Sequence, residues 1–293
     1  MSRTFAPIQT VFDLFKDTLQ AWQQDKAAQV AAALAYYTVF SLTPLSIVAI
    51  AIAGSIFGED AARGEIIGQI EGLVGTSAAE LIENAIENAN RPDLKNIASW
   101  LSLGVLLLGA SGVFFQLQEA LDRVWNVAPK QGSIKLMLKK RLFSFFAVLC
   151  MGFFVVFMLV VSAVLATLTQ WESSWLPHLS LVWRGIDFGV SFAIVTLLFA
   201  LVYKYIPDAR ITWRDVWMGA ILTALLFTIG KSLLAMYFGS TSVGSIYGAA
   251  GSLVALLAWI YYSAQILLFG AEFTQVYARR FGSDITPSKR FRS

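Results

Sequence analysis

Residues 232–271 read SLLAMYFGSTSVGSIYGAAGSLVALLAWIYYSAQILLFGA, forty residues without one charged side chain. A helix crossing the hydrocarbon core of a bilayer needs about 20 apolar residues. The second half of this run supplies such a helix. The polar, glycine-rich stretch 239–245 divides it from the apolar residues before it. The apolar positions are continuous rather than alternating, which excludes a strand of a membrane β-barrel.

Further uncharged runs lie outward from this one, at 27–58, 96–118, 142–171, 188–203 and 216–230. The 188–203 run is extended back to Leu179 with Asp187 at its edge, and the 216–230 run resumes beyond Lys231 to Phe238. The spacing predicts six transmembrane helices, at about 30–57, 97–118, 142–169, 183–205, 216–238 and 246–271. The first run starts too late and is too long for a cleaved secretory signal. The expected fold class is therefore all-α, a polytopic helical membrane protein.

Composition agrees. The chain is 57% hydrophobic and 14% charged, where a soluble domain carries about a quarter charged residues. The single cysteine, Cys150, excludes an internal disulfide framework. The single histidine, His178, leaves no material for a histidine cluster, and no cofactor is expected. The predicted organisation is a cytoplasmic amphipathic segment over 1–29, a transmembrane domain over 30–271 and a basic cytoplasmic tail over 272–293.

Lysine and arginine set the orientation. With both termini inside, seventeen basic residues fall in inner segments and four in outer ones, Arg63, Arg91, Lys95 and Arg184. The sequence thus predicts N-in/C-in topology, and a bacterial inner membrane is the natural home. The net charge of +3 conceals this asymmetry.

Two segments outside the spans are patterned. Over 8–25, Val11, Phe12, Phe15, Leu19 and Trp22 share a helical face, predicting an amphipathic helix either in the inner interface or packed on the bundle. The outer segment 59–96 predicts two short helices, the second opened by a capping box from Ser77 to Glu80. Its acidic stripe of Glu80, Glu83 and Glu87 reads either as a lid over an outer mouth or as a solvated face.

Several stretches share the look of one family. They are ALAYYTVFSLTPL at 33–45, GVFFQLQEALDRVWNV at 112–127, KRLFSF at 140–145, YIPDARITWRD at 205–215, YGAAGS at 247–252, WIYYS at 259–263 and GAEFT at 270–274. Together, and in this order over roughly residues 25–280, they resemble the YihY/BrkB family of bacterial inner-membrane proteins. The resemblance implies six transmembrane helices with both ends cytoplasmic. Its activity labels conflict: ribonuclease BN, serum-resistance factor, permease or lipid transporter.

Ribonuclease chemistry does not suit these residues. A zinc nuclease needs several His and Asp ligands, and a metal-free one needs paired acid and base groups. The inner loops offer basic residues but no such pair. Lys135, Lys139, Lys140 and Arg141 read as the positive-inside signal with anionic lipid headgroups, so nucleic acid is not an expected partner. No phosphate-binding Gly-Lys-Ser/Thr loop is present, so ATP does not drive the protein directly.

Charges at membrane depth require a reason. Lys231 lies 16 residues past Asp215, about 24 Å along a helix. It either snorkels to outer headgroups or turns inward to pair with Asp187 or bind an anionic substrate. Glu119 and Glu272 end the second and sixth spans, as an inner salt-bridge network with Arg123 and Lys204 or as a gate. Tyr36, Tyr37, Tyr247, Tyr261 and Tyr262 place hydroxyls that need partners in a dry region, so a cavity or interhelical hydrogen bonds are expected. Pro44 should kink the first span, and Gly248 and Gly251 permit close helix approach. The triplets Tyr36–Thr38 and Tyr261–Ser263 lie on oppositely directed spans and hint at an inverted repeat.

The function these features predict is a transporter or translocator of lipids or small molecules, not an enzyme. Its partners are membrane lipids and a lipid or solute substrate. A non-transporting envelope scaffold is the alternative.

Overall fold

Helices that are apolar almost all round must be covered on every side by protein or lipid. The long helices of this chain are of that kind. The computed structural model describes residues 6–74, 76–88, 97–127, 180–240, 251–282 and 286–287. The described elements are α1 (Ala6–Gln24), α2 (Ala27–Phe57), α3 (Glu59–Val74), α4 (Thr76–Asn88), α5 (Ile97–Val124), α6 (Ser180–Tyr205), β1 (Ala209–Arg210), α7 (Trp213–Ser240), α8 (Gly251–Phe281) and β2 (Thr286–Pro287). Four of these helices, α2, α6, α7 and α8, are long and apolar enough to cross a membrane. The span expected over 142–169, together with Lys135, Lys139, Lys140, Arg141, His178, Tyr247 and Gly248, lies outside the described residues.

The chain breaks where local chemistry demands it. Lys26 adopts a left-handed conformation (φ 52°, ψ 40°) and turns α1 into α2. α5 ends with Asn126 at φ 51°. There Asn126 N–H donates to Arg123 O and Val127 N–H to Asp122 O, both at 2.9 Å, the double bond of a Schellman cap. Gly58 ends α2 at φ 88°, a conformation that suits glycine. α2 runs unbroken through Pro44, whose ring packs where Gly109 of α5 leaves room. Ser41 Oγ donates to the Gly109 carbonyl at 2.8 Å across the same contact.

One end of the bundle, here the basal end, gathers the α1–α2 turn, the C-termini of α5, α6 and α8 and the N-terminus of α7. Ala27, Trp125, Ile211, Val216 and Ala271 all belong to one buried core cluster there. The Asp208 N–H donates to Asp122 Oδ1 at 2.7 Å, tying the α6–α7 connection to the end of α5. β1 pairs antiparallel with β2, Ala209 opposite Pro287, so the tail past α8 is anchored beside this connection. This strand pair is a small addition to the all-α expectation.

α3 and α4 are the two helices expected over the outer segment, and they pack back on the bundle. Gly54 lies so close to Glu59 that a Cβ there would stand 3.1 Å from the Glu59 Cα, and α3 folds back along α2. Ala62 and Ile66 join Ala49, Ile50 and Ala53 of α2 in one cluster, and Ile82 joins Ala35, Leu256 and Ile260 in another. The hairpin therefore leans on the flanks of α2 and α8. α4 already includes Thr76 and Ser77, so Ser77 is not its cap. Arg63 of α3 pairs with Glu83 at 3.5 Å and Glu87 at 2.5 Å, neutralising part of the acidic stripe.

Candidate functional site

α7 and α8 meet along a seam of small residues. A Cβ at Gly219 would stand 1.6 Å from Thr274 Oγ1, and one at Gly270 would stand 1.8 Å from Thr223 Oγ1. A Cβ at Gly230 would stand 2.4 Å from the Tyr262 ring. Backbones this close gain dispersion contacts that larger residues would prevent. Buried Tyr203 of α6 closes the seam, donating to the Leu267 carbonyl at 2.8 Å and bonding the Thr223 hydroxyl at 2.8 Å. These contacts fix the registers of α6, α7 and α8.

Beside the seam lies a layer of buried polar side chains, all toward the basal end: Gln118, Asp122, Asp208, Asp215, Glu272 and Gln275. Some are satisfied, as where Thr212 Oγ1 donates to Asp215 Oδ2 at 2.6 Å at the start of α7. Others have no hydrogen-bond partner: both polar ends of Gln118, Trp125 Nε1, both oxygens of Glu272 and Gln275 Nε2. Gln118 and Trp125, in the turn just past α5, are seven residues apart, and Glu272 and Gln275 are three apart on α8, so each pair lies on one side of its helix. Unmet donors and acceptors together suit a hydrated interior. Among the described residues no group of three or more His, Cys, Asp or Glu side chains could hold a metal ion.

The structure places the residues singled out in the sequence as follows. Glu272 is fully buried, while Glu119 is exposed. Lys204 donates to the Ile211 carbonyl and lies 5.5 Å from the Trp213 ring centre. Tyr36 and Tyr37 are exposed on α2, with Tyr36 packed on Phe40 at 4.7 Å, and Tyr261 is exposed on α8. They do not converge on one interior cavity. Tyr262 fills the notch at Gly230, and Gly251 is buried at the start of α8. Thr38 and Ser263 each return their hydroxyl to their own helix, to the Leu34 and Trp259 carbonyls.

Lys231 is exposed on the outer flank of α7. The Tyr203–Thr223 contact sets the α6–α7 register. On that register Asp187 lies about 12 Å farther along the axis than the level of Lys231, at 1.5 Å per residue. The register does not bring these two together.

Sequence reasoning missed Gln118, Gln275, Tyr203 and the seam glycines. A search for charges passes over an amide inside an apolar run. Gly219 and Gly230, eleven residues apart and so about three turns along one face of α7, were the readable signal.

A second feature of the basal end is a cleft of about 440 Å³ between α1 and the end of α8, lined by Asp17, Gln20, Gln24, Arg279 and Arg280 among others. Arg280 bridges Asp13 at 3.7 Å and Asp17 at 3.5 Å. Phe15 packs on Phe269 and Phe273. α1 thus docks on the bundle through Leu14, Phe15 and Thr18, yet it leaves Phe12 and Leu19 exposed.

The outer flank of α7 is a continuous exposed apolar stripe: Trp217, Ile221, Leu225, Ile229, Leu233 and Met236. With buried polar groups inside and such a stripe outside, the chain is a helical membrane protein. It belongs to the virulence factor BrkB family, whose model it matches over residues 18–293. It is similar to UPF0761 membrane protein MS0032 of Mannheimia succiniciproducens, 26% identical over 87% of this chain and 86% of that protein. It is also similar to a UPF0761 membrane protein of Psychromonas ingrahamii, 27% identical over 86% of this chain and 83% of that one. No solved structure matches the chain.

Proposed function

We propose that this protein is a six-span transporter or translocator of lipids or small molecules, not driven by ATP and not an enzyme. Both termini lie in the cytoplasm of a bacterial inner-membrane protein. The carrying observation is the set of buried, unpartnered polar groups on Gln118, Glu272 and Gln275 within an apolar bundle. A scaffold gains nothing from polar groups left without partners at such depth, where each costs free energy. A pathway through the bundle needs them.

The described chain also supports the span count. It stops at Val127 on the basal end and resumes at Ser180, which the length of α6 puts at the other end. The uncharged stretch 142–171 is long enough for the crossing between. The basic residues then divide as the N-in/C-in reading requires.

The test uses the full chain in phosphatidylethanolamine and phosphatidylglycerol vesicles, with fluorescent phospholipids and small radiolabelled solutes as probes. Wild type is expected to move one class, and Gln118→Leu to abolish the movement while unfolding normally. Undiminished flux in folded Gln118→Leu would remove the observation this reading rests on. Lys231→Leu separates the substrates: on the lipid-facing flank, its loss should slow a phospholipid and leave a solute unaffected.

A further inference from the structure

α1 carries three stripes, each spaced i, i+4, i+7. Leu14, Thr18 and Ala21 face the bundle, the first two buried. One position earlier, Asp13 and Asp17 hold Arg280, and Gln20 and Gln24 line the cleft beside it. One position earlier again, Phe12, Lys16 and Leu19 are exposed, Phe12 at 70% and Leu19 at 48%. At 3.6 residues per turn this third stripe points away from the bundle. Phe15 lies between it and the buried stripe.

The depth of α1 follows from the other helices at this end. A Cβ on Gly282, one residue past α8, would stand 2.6 Å from Asp215 Oδ1. The end of α8 is therefore level with the start of α7. There Tyr205, Trp213 and Trp217 are exposed and in ring contact, at 6.1 Å and 6.5 Å. Exposed tryptophan and tyrosine at the end of a membrane helix mark the headgroup level. Ala21 lines the cleft together with Val276, which is six residues before Gly282 and so about 9 Å deeper along α8. The Phe15 ring reaches deeper still, to Phe273 at 5.7 Å and Phe269 at 6.4 Å. Asp13 and Asp17 turn the other way, to Arg280. The apolar edge of α1 faces the hydrocarbon, and its polar stripe faces out of the membrane.

We propose that α1 is an interfacial helix whose flank of Phe12, Phe15, Lys16 and Leu19 lies in the leaflet at the basal end. Phe12, Phe15 and Leu19 enter the upper acyl chains, and the Lys16 ammonium sits on the phosphate of an anionic phospholipid. The depth found for α1 matches the roughly 5–10 Å to which interfacial helices bury their apolar face. The flexible stem of Lys16 spans from that depth to the headgroups. A second copy or a soluble partner would have to reach the flank at a level that lipid already fills. The sequence left α1 either in the interface or packed on the bundle; the stripes let it do both at once. This inference goes beyond the transport reading and holds whether or not the chain moves a substrate.

The test uses the full-length chain in nanodiscs of phosphatidylethanolamine and phosphatidylglycerol. Single spin labels are placed at Phe12→Cys, Leu19→Cys, Gln20→Cys or Gln24→Cys on a Cys150→Ala background. Labels at 12 and 19 should relax with oxygen and be shielded from a water-soluble nickel chelate, and labels at 20 and 24 should do the reverse. Equal nickel access at all four puts the flank in water and overturns the proposal. Shielding of 12 and 19 from both reagents puts protein on the flank, a second copy or a partner, and overturns it as well. A second arm needs no substitution: a phospholipid with a diazirine midway along its acyl chain should label the peptide containing residues 12–19, and absence of label there is equally fatal. For the headgroup, amide exchange in α1 should be slower with phosphatidylglycerol than with phosphatidylcholine in its place, and Lys16→Gln should remove the difference. A difference that survives Lys16→Gln overturns the phosphate contact.

Discussion

Gly219→Ala tests the α7–α8 seam most directly. The added Cβ would stand 1.6 Å from Thr274 Oγ1, 2.9 Å from Thr274 Cβ and 3.1 Å from the Gly270 carbonyl oxygen. Thr274 can rotate its hydroxyl away, but that breaks its 2.7 Å bond to Gly270 O, worth about 0.6 kcal/mol on average inside membranes. Rotation leaves the Cβ–Cβ approach at 2.9 Å, when carbon atoms rest at about 3.5–4.0 Å. The helices must then separate by most of an ångström. Such overpacking costs about 1–3 kcal/mol, offset by up to about 1 kcal/mol from the better helix propensity of alanine. The net expectation is a loss of about 2 kcal/mol, close to thirtyfold in the folding equilibrium. Gly64→Ala is the control, because nothing lies within 4 Å of a Cβ there. It should gain up to about 1 kcal/mol. Reversible unfolding in mixed micelles, read by tryptophan fluorescence, measures both. If Gly219→Ala matches the wild type or gains like Gly64→Ala, the seam does not close as described.

Three further outcomes follow from the same geometry. Tyr203→Phe strips the hydroxyl that joins Thr223 to the Leu267 carbonyl, and unfolding should show a loss of about 0.6–1.7 kcal/mol. Asn126→Gly relieves a left-handed residue at the end of α5 and should raise stability by up to about 1 kcal/mol in the same assay. Phe15→Ala removes the ring that packs on Phe269 and Phe273, and should speed amide exchange in α1 far more than Arg280→Ala. The Arg280 ion pairs are half in solvent and contribute about 0–1 kcal/mol.

The spans were readable because a bilayer imposes length and continuity on any helix that crosses it. α2, α5, α6, α7 and α8 begin and end within about six residues of the predicted spans, except where α8 continues to Phe281. That extension was hidden by Glu272, since a charge at the end of a run reads as the edge of the membrane. The fold-back of α3 was hidden for a related reason. Gly54 and Gly58 have the spacing of a helix-dimer motif, yet Gly58 turns the chain and Gly54 makes room for Glu59. Spacing cannot tell a glycine that admits a neighbouring helix from one that admits its own chain.

Polar residues were readable by position and unreadable by partner. Lys231 drew attention as a charge in an apolar stretch, but its helix face is decided by where α6 and α8 pack on α7. Tyr203 and Thr223 set that register, and it turns Lys231 outward among Ile229 and Leu233. Glu272 looked like one acid among several at the inner rim. Its distinction is complete burial with no donor at either carboxyl oxygen, which the sequence does not show. Burial depends on how the α1–α2 turn, the end of α5 and the start of α7 all pack around that part of α8, a tertiary arrangement that position in the chain does not show.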